Sequence, residues 1–208
     1  MPHIENLYAY LAIVTVFVIV PGPSVLLTVA RSISSGTRAG LMTALGIAAG
    51  DVVHTTLAVL GVSAILMASA IAFSIMKYMG AAYLVYLGVK ALLQRSSALE
   101  LPKQEPSLGQ GAFAQGFLCE ALNPKSALFF LAFLPQFVDG AVGHPQLQLA
   151  VFGVFFIVLG AIATSSYALA AARVRFFIKQ RPSLVKWQNK IVGSLYCALG
   201  VRLALQER

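Results

Sequence analysis

Two stretches of this chain, residues 7–30 and 147–172, run for a full membrane thickness without one charged side chain. A segment of roughly 20 mostly apolar residues is what a helix needs to cross a bilayer. Residues 40–72 carry one acid, Asp51, beside His54, and residues 111–138 carry Glu120 and Lys125. Two shorter runs, 78–89 and 191–201, are bounded by Lys77 and Lys90 and by Lys190 and Arg202. Such flanking cations can snorkel to the interface, so both are read as spans. The expectation is an all-α integral membrane protein of about six transmembrane helices. A soluble bundle is excluded because 59% of the residues are hydrophobic and only 11% charged, against about 25% charged in soluble domains.

Charge sets the expected orientation. The net charge is +8, but the basic residues fall between apolar runs and form no continuous patch, so no nucleic-acid partner is expected. Arg31 and Arg38 follow the first span; Lys90, Arg95 and Lys103 follow the third; Arg173, Arg175, Lys179, Arg181, Lys186 and Lys190 follow the fifth. Basic loops stay cytoplasmic, which puts both termini outside. The first span has no basic leader and no small-residue cleavage site, so it is expected to be kept rather than removed as a signal peptide. Residues 95–110, with Pro102 and Pro106, read as a linker.

The chain repeats itself. Lys77-x-x-Gly80-x-x-Tyr83 leads to Gly88-Val89-Lys90, and Lys190-x-x-Gly193-x-x-Tyr196 leads to Gly200-Val201-Arg202. Earlier in each half, Val20-Pro21-Gly22-Pro23-Ser24 parallels Ala121-Leu122-Asn123-Pro124-Lys125. Small residues recur in membrane helices for packing reasons alone, which is the competing explanation. A unit with three spans is odd-numbered, so its second copy enters the membrane from the opposite side. The expected units are 1–94 and 111–208, two inverted three-helix repeats joined by the linker at 95–110. Secondary transporters are commonly built this way, with the substrate site near the midplane between repeats.

Pro21 and Pro23 lack an N–H and Gly22 adds freedom, so the first span should break there; Asn123-Pro124 should break the fourth. Backbone groups freed at such breaks cannot face lipid and must be satisfied by protein or line a polar cavity. A zwitterion suits the ends of half-helices, its carboxylate at an N-terminus and its ammonium at a C-terminus. An ordinary proline kink is the alternative. Asp51 follows Gly46-x-x-x-Gly50, a pattern allowing close helix approach, and shares a helix face with His54. An acid at membrane depth points at a partner or an aqueous path. Asp51 could pair with Lys125 or carry a proton as access alternates, and Glu120 is a second candidate for the proton. His54 could relay it or simply be a satisfied polar residue. Thr164, Ser165 and Ser166 stand opposite Asp51 in the repeat, although such hydroxyls usually bond back to their own helix. Cys119 and Cys197 form neither a metal-ligand spacing nor a disulfide framework; no metal site and no cofactor are expected. Gly36-x-x-x-Gly40 permits a homodimer, and packing within one bundle equally well.

Pro21-Gly22-Pro23 resembles the motif of the LysE/RhtB family of bacterial amino-acid exporters, and Gly46-x-x-x-Gly50-Asp51 resembles that family's Gly-Asp signature. Asn123-Pro124-Lys125, with Ala127 to Leu134 and Pro135-Gln136-Phe137 after it, is similar to the family's most specific stretch. The similarity covers essentially the whole chain. It implies a multi-pass protein of the bacterial inner membrane that exports amino acids such as threonine, homoserine, leucine or lysine in exchange for protons. It also implies binding or coupling roles for Pro21, Gly22, Pro23, Asp51, Asn123, Pro124 and Lys125. Two other functions remain in view: a membrane thiol–disulfide oxidoreductase, which needs cysteines facing each other at the breaks, and an exporter of a cation or other small solute. A membrane hydrolase would need a nucleophile with a His partner, and no serine here has a persuasive one.

Overall fold

The computed structural model describes residues 4–62, 70–93 and 110–178, together with scattered helical residues between 190 and 205. Every regular element among them is helical. In chain order these are α1 (Ile4–Ile19), α2 (Pro23–Ser35), α3 (Thr37–Leu57), α4 (Ala70–Leu93), α5 (Gln110–Ala121), α6 (Pro124–Leu128) and α7 (Pro145–Ile178). A π-type turn, Ala58–Val62, extends α3; another, Phe129–Phe133, followed by a 3-10 turn, Leu134–Phe137, extends α6.

Both expected breaks are present. Pro23 and Pro124 become the first residues of α2 and α6, where a missing N–H costs nothing. The half-helices meet at 48° across residues 20–22 and at 43° across residues 122–123. Counting each bent pair once, four spans among the described residues are long and apolar enough to cross a membrane: the two bent ones, α3 with its extension, and α7. The expected third span lies within α4, whose 24 residues reach roughly 36 Å at the usual helical rise. The expected sixth span, 191–201, lies largely outside the described residues, as does the linker at 95–110. Where the final segment is described it packs on α4: a Cβ on Gly200 would meet the Ala81 carbonyl and Val85.

The placing of the basic residues changes: Arg38, Lys90, Arg173 and Arg175 fall within helices rather than loops. Arg31 is not in a loop either: α2 continues to Ser35 and turns into α3 at Gly36, whose φ of +88° suits glycine. Arg31 is among the most buried side chains of the chain, bonded to Gln115 on α5. Gly40, half of the small-residue pair that permits a dimer, faces Ser32 and Ala168 inside the bundle.

Close approach organises the centre. A Cβ on Gly46 would collide with the Phe113 carbonyl, one on Gly50 with Glu120, and one on Gly116 with the Thr43 carbonyl, so α3 and α5 touch backbone to backbone. This is the contact that Gly46-x-x-x-Gly50 anticipates. An aromatic cluster of Tyr10, Phe17, Phe129, Phe130, Phe133, Phe137, Phe152 and Phe156 fills the space between α1, α6 and α7. Leu45, Val52 and Leu57 on α3 and Val154, Val158 and Ile162 on α7 face outward. The polar side chains Ser24, Asp51, His54, Glu120, Asn123 and Lys125 are inside. Apolar outside and polar inside is the arrangement a bilayer favours.

Candidate functional site

The two breaks face each other, and each is braced by the other. Asn123 caps α6 by accepting from the Lys125 N–H at 3.0 Å. That places the Lys125 side chain across the gap, where its ammonium donates to the carbonyls of Phe17 (3.3 Å) and Val20 (3.0 Å) and lies 4.3 Å from the centre of the Phe17 ring. Those carbonyls end α1 and have lost their helical partners to the break. Conversely Ser24, the residue after the proline of the first break, reaches the end of α5, donating to the Glu120 carboxyl group and lying 3.9 Å from the Cys119 sulfur.

A second pair of braces follows the same pattern. Tyr167 on α7 donates its phenol to the Ile19 carbonyl at 2.6 Å, and the His54 ring nitrogen Nε2 lies 2.8 Å from the Glu120 carbonyl. A carbonyl only accepts, so Nε2 carries the proton of that bond. His54 and Tyr167 are as far apart in the chain as Lys77 and Lys190, which open the two repeated motifs. Ile19 and Glu120 are likewise as far apart as Ser24 and Lys125.

Between the breaks lies a cavity of about 50 Å³, room for on the order of four waters. Ser24, Asp51, Glu120, Asn123, Lys125 and Thr164 form its polar wall; Phe17, Val18, Val20, Val25, Ile47 and Phe156 form its apolar wall. Gly22 lines it as well, while Pro21, Pro23 and Pro124 shape the breaks without lining it.

Asp51 and Glu120 are 2% and 3% exposed, and both line the cavity. Asn123 also donates its amide to both Glu120 oxygens, at 3.3 and 3.2 Å. Asp51 shares the cavity with both Glu120 and Lys125, and the Lys125 ammonium turns to the carbonyls of α1. The Asp51 oxygen Oδ1 is buried without a hydrogen-bond partner, and Oδ2 would lie 3.5 Å from a Cβ on Gly160. His54 stacks on Phe130 with ring centres 5.7 Å apart and is used as a brace. Thr164 bonds back to the Gly160 carbonyl at 2.8 Å, the ordinary behaviour of a helical hydroxyl.

A family model described as LysE type translocator matches residues 15–207. The chain belongs to that family. It is therefore a transporter of the bacterial inner membrane and not an enzyme. Among its relatives is an uncharacterised membrane protein of Pseudomonas aeruginosa, 33% identical over 97% of this chain and 95% of the relative. A membrane protein of Vibrio cholerae is 33% identical over 94% of this chain and 95% of its own length. A protein named leucine efflux protein in Salmonella typhimurium is 30% identical over 96% of this chain and 94% of the relative. No solved structure matches the chain significantly.

Sequence reasoning missed Ser24 as a site residue, along with Phe17, Phe156 and Tyr167. For Ser24 the signal was present: the parallel between the two breaks sets it against Lys125. For the aromatic residues there was none, because aromatic side chains are common throughout these spans.

Proposed function

We propose that this LysE-type translocator exports neutral amino acids from the cytoplasm in exchange for protons, binding substrate between the two breaks and the proton on the Asp51–Glu120 pair. The observation that carries the reading is the two buried acids, Asp51 and Glu120, lining one cavity with polar residues of both breaks. With Lys125 charged and one proton on the pair, the buried cluster is neutral; without that proton it carries one negative charge. A net charge at membrane depth is costly unless matched, so the proton-loaded pair is the form that suits a site shut off from water. Loss of the proton toward the cytoplasm would make the site anionic and favour opening to water, where a zwitterion can enter. Coupling requires only that the two open states differ in affinity for proton and substrate.

The cavity suits the substrate class. Its polar lining suits a zwitterionic head, and Phe17, Val25, Ile47 and Phe156 in the same lining suit an aliphatic side chain. The matched bends and paired braces support two inverted repeats, 1–94 and 111–208, and the basic bias supports termini outside. The name of the Salmonella relative favours a leucine-like substrate. The other readings find less support. Cys119 neighbours Ser24 and Cys197 neighbours the Val85 carbonyl, so the two thiols are not set against each other. Among the described residues no three His, Cys, Asp or Glu side chains are grouped as metal ligands.

The test is uptake of a labelled amino-acid mixture into inside-out vesicles, with and without an imposed proton gradient. Gradient-dependent accumulation of one or a few neutral amino acids is expected. No accumulation of any amino acid, from protein shown to be folded and inserted, overturns the reading.

A further inference from the structure

We propose that the C-terminal end of α1 is a primary-ammonium site, and that Lys125 is its resident occupant, handing it over to the α-ammonium of the transported amino acid. This rests on the amino-acid reading above and specifies how the substrate is recognised. Lys125 then serves as a tethered stand-in for substrate rather than as a fixed strut.

The site is built for such a group. The carbonyls of Phe17 and Val20 converge on one nitrogen at 3.3 and 3.0 Å, at the negative end of a sixteen-residue helix, where cations are favoured. The face of the Phe17 ring closes the cradle at 4.3 Å, adding the attraction of an aromatic quadrupole for a cation. The Ile19 carbonyl is diverted to Tyr167, which leaves the other two for the ammonium. Gly22 makes room: a Cβ there would lie 3.3 Å from Lys125 Cδ and 3.4 Å from Nζ. Phe17, Val20, Gly22 and Lys125 all line the cavity between the breaks, so the cradle opens where substrate must pass.

The lysine head group and an α-ammonium are chemically alike: a compact cation with three donors. An ammonium arriving in the cavity can therefore take the same two carbonyls and the same ring face. The exchange leaves the charge at the cradle unchanged and keeps the α1 carbonyls satisfied throughout, which the membrane interior demands. Lys125, on its flexible stem, is displaced into the cavity beside the substrate carboxylate. In the substrate-free protein the lysine keeps the α1 carbonyls satisfied until an ammonium replaces it.

The experiment uses the purified full chain in detergent and follows thermal unfolding during titration with n-propylammonium chloride or leucinamide, with sodium chloride as the ionic-strength control. In Lys125→Met the cradle has lost its occupant, so both amines should stabilise the variant saturably and bind it at least about tenfold more tightly than the parent. Equal affinity for parent and variant, or no saturable effect on the variant, overturns the handover. If Lys125→Met does not fold, Phe17→Leu keeps the lysine but removes the ring face of the cradle. Leucinamide should then bind Phe17→Leu more weakly than the parent, and unchanged or tighter binding overturns the proposal. Stabilisation by propylammonium without any by leucinamide rejects the amino-acid reading, and with it the handover. No stabilisation by either, with vesicle transport intact, rejects the cradle alone.

Discussion

Gly50 ties helix packing to the site, and Gly50→Ala is the perturbation that exposes the connection. A Cβ at this position would lie 2.6 Å from the Glu120 Cβ, 3.0 Å from the Ala121 nitrogen and 3.1 Å from the Glu120 Cγ. Carbon atoms rest at about 3.5–4.0 Å, so α5 must retreat by roughly 1 Å at the segment that carries Glu120. Rotamer change cannot relieve a clash with Cβ and backbone nitrogen. Overpacking of this kind costs about 1–3 kcal/mol, and the backbone contact points to the upper part of that range. Retreat of α5 also draws Glu120 away from Ser24, whose bond to it tolerates little stretching. The expected result is a lower thermal midpoint in detergent together with gradient-driven transport reduced by roughly tenfold or more, by analogy with the large rate losses that 1 Å misplacements cause in active sites. Gly46→Ala, which drives a Cβ into the Phe113 carbonyl, should destabilise at least as much. Gly61→Ala, with nothing within 4 Å, should leave both readouts near the parent. Parental stability and transport in both Gly46→Ala and Gly50→Ala would refute the backbone-to-backbone contact of α3 with α5.

Four further outcomes follow from the same geometry. Glu120→Gln and Asp51→Asn should each bring gradient-driven accumulation in vesicles to background while substrate counterflow without a gradient persists; full retained coupling in either variant removes that residue from the proton pair. Tyr167→Phe leaves the Ile19 carbonyl unpaired and should destabilise the chain by about 1–3 kcal/mol, read as a lowered midpoint in thermal unfolding. Asn123→Ala removes the cap of α6 and the amide held against Glu120, so its cost should exceed the roughly 1 kcal/mol of an ordinary cap; a smaller loss argues against the double role. Phe156→Ala removes part of the apolar wall and should shift transport in competition assays toward bulkier side chains, at a stability cost of about 3–5 kcal/mol.

The breaks were legible because proline removes an N–H wherever it stands, whatever packs around it. The close approach of α3 and α5 was legible because only small residues permit it. What Asp51 would face was not, since that depends on the rotation of α3 against α5, which the interlocked Gly46, Gly50 and Gly116 fix only once the helices are together. The partners of Lys125 were hidden for a different reason: they are main-chain carbonyls, and a carbonyl leaves no mark in a sequence. Arg31 misled because a cation after an apolar run reads as a loop. Its helical place was nevertheless written in Ser24, Thr28 and Arg31, spaced as one face of a helix, and all three are buried.

The braces across the breaks also limit how such a molecule can move. The carbonyls of Phe17, Ile19, Val20 and Glu120 are satisfied by side chains from the opposite half, and no state within a membrane can leave them bare. Parting the half-helices pulls Lys125 off α1 and Ser24 off Glu120, so any open state must supply replacements. Water entering from one side can serve the carbonyls it reaches, but not those at the closed end. The groups facing the closed end must keep their protein partners or accept cargo in exchange. Two states of equal standing therefore arise when one break is served by its brace and the other by substrate or water. On the proposed antiport, a proton held by Asp51 or Glu120 would lie where the Ser24 brace ends, so its presence or absence would alter that brace and bias which break opens.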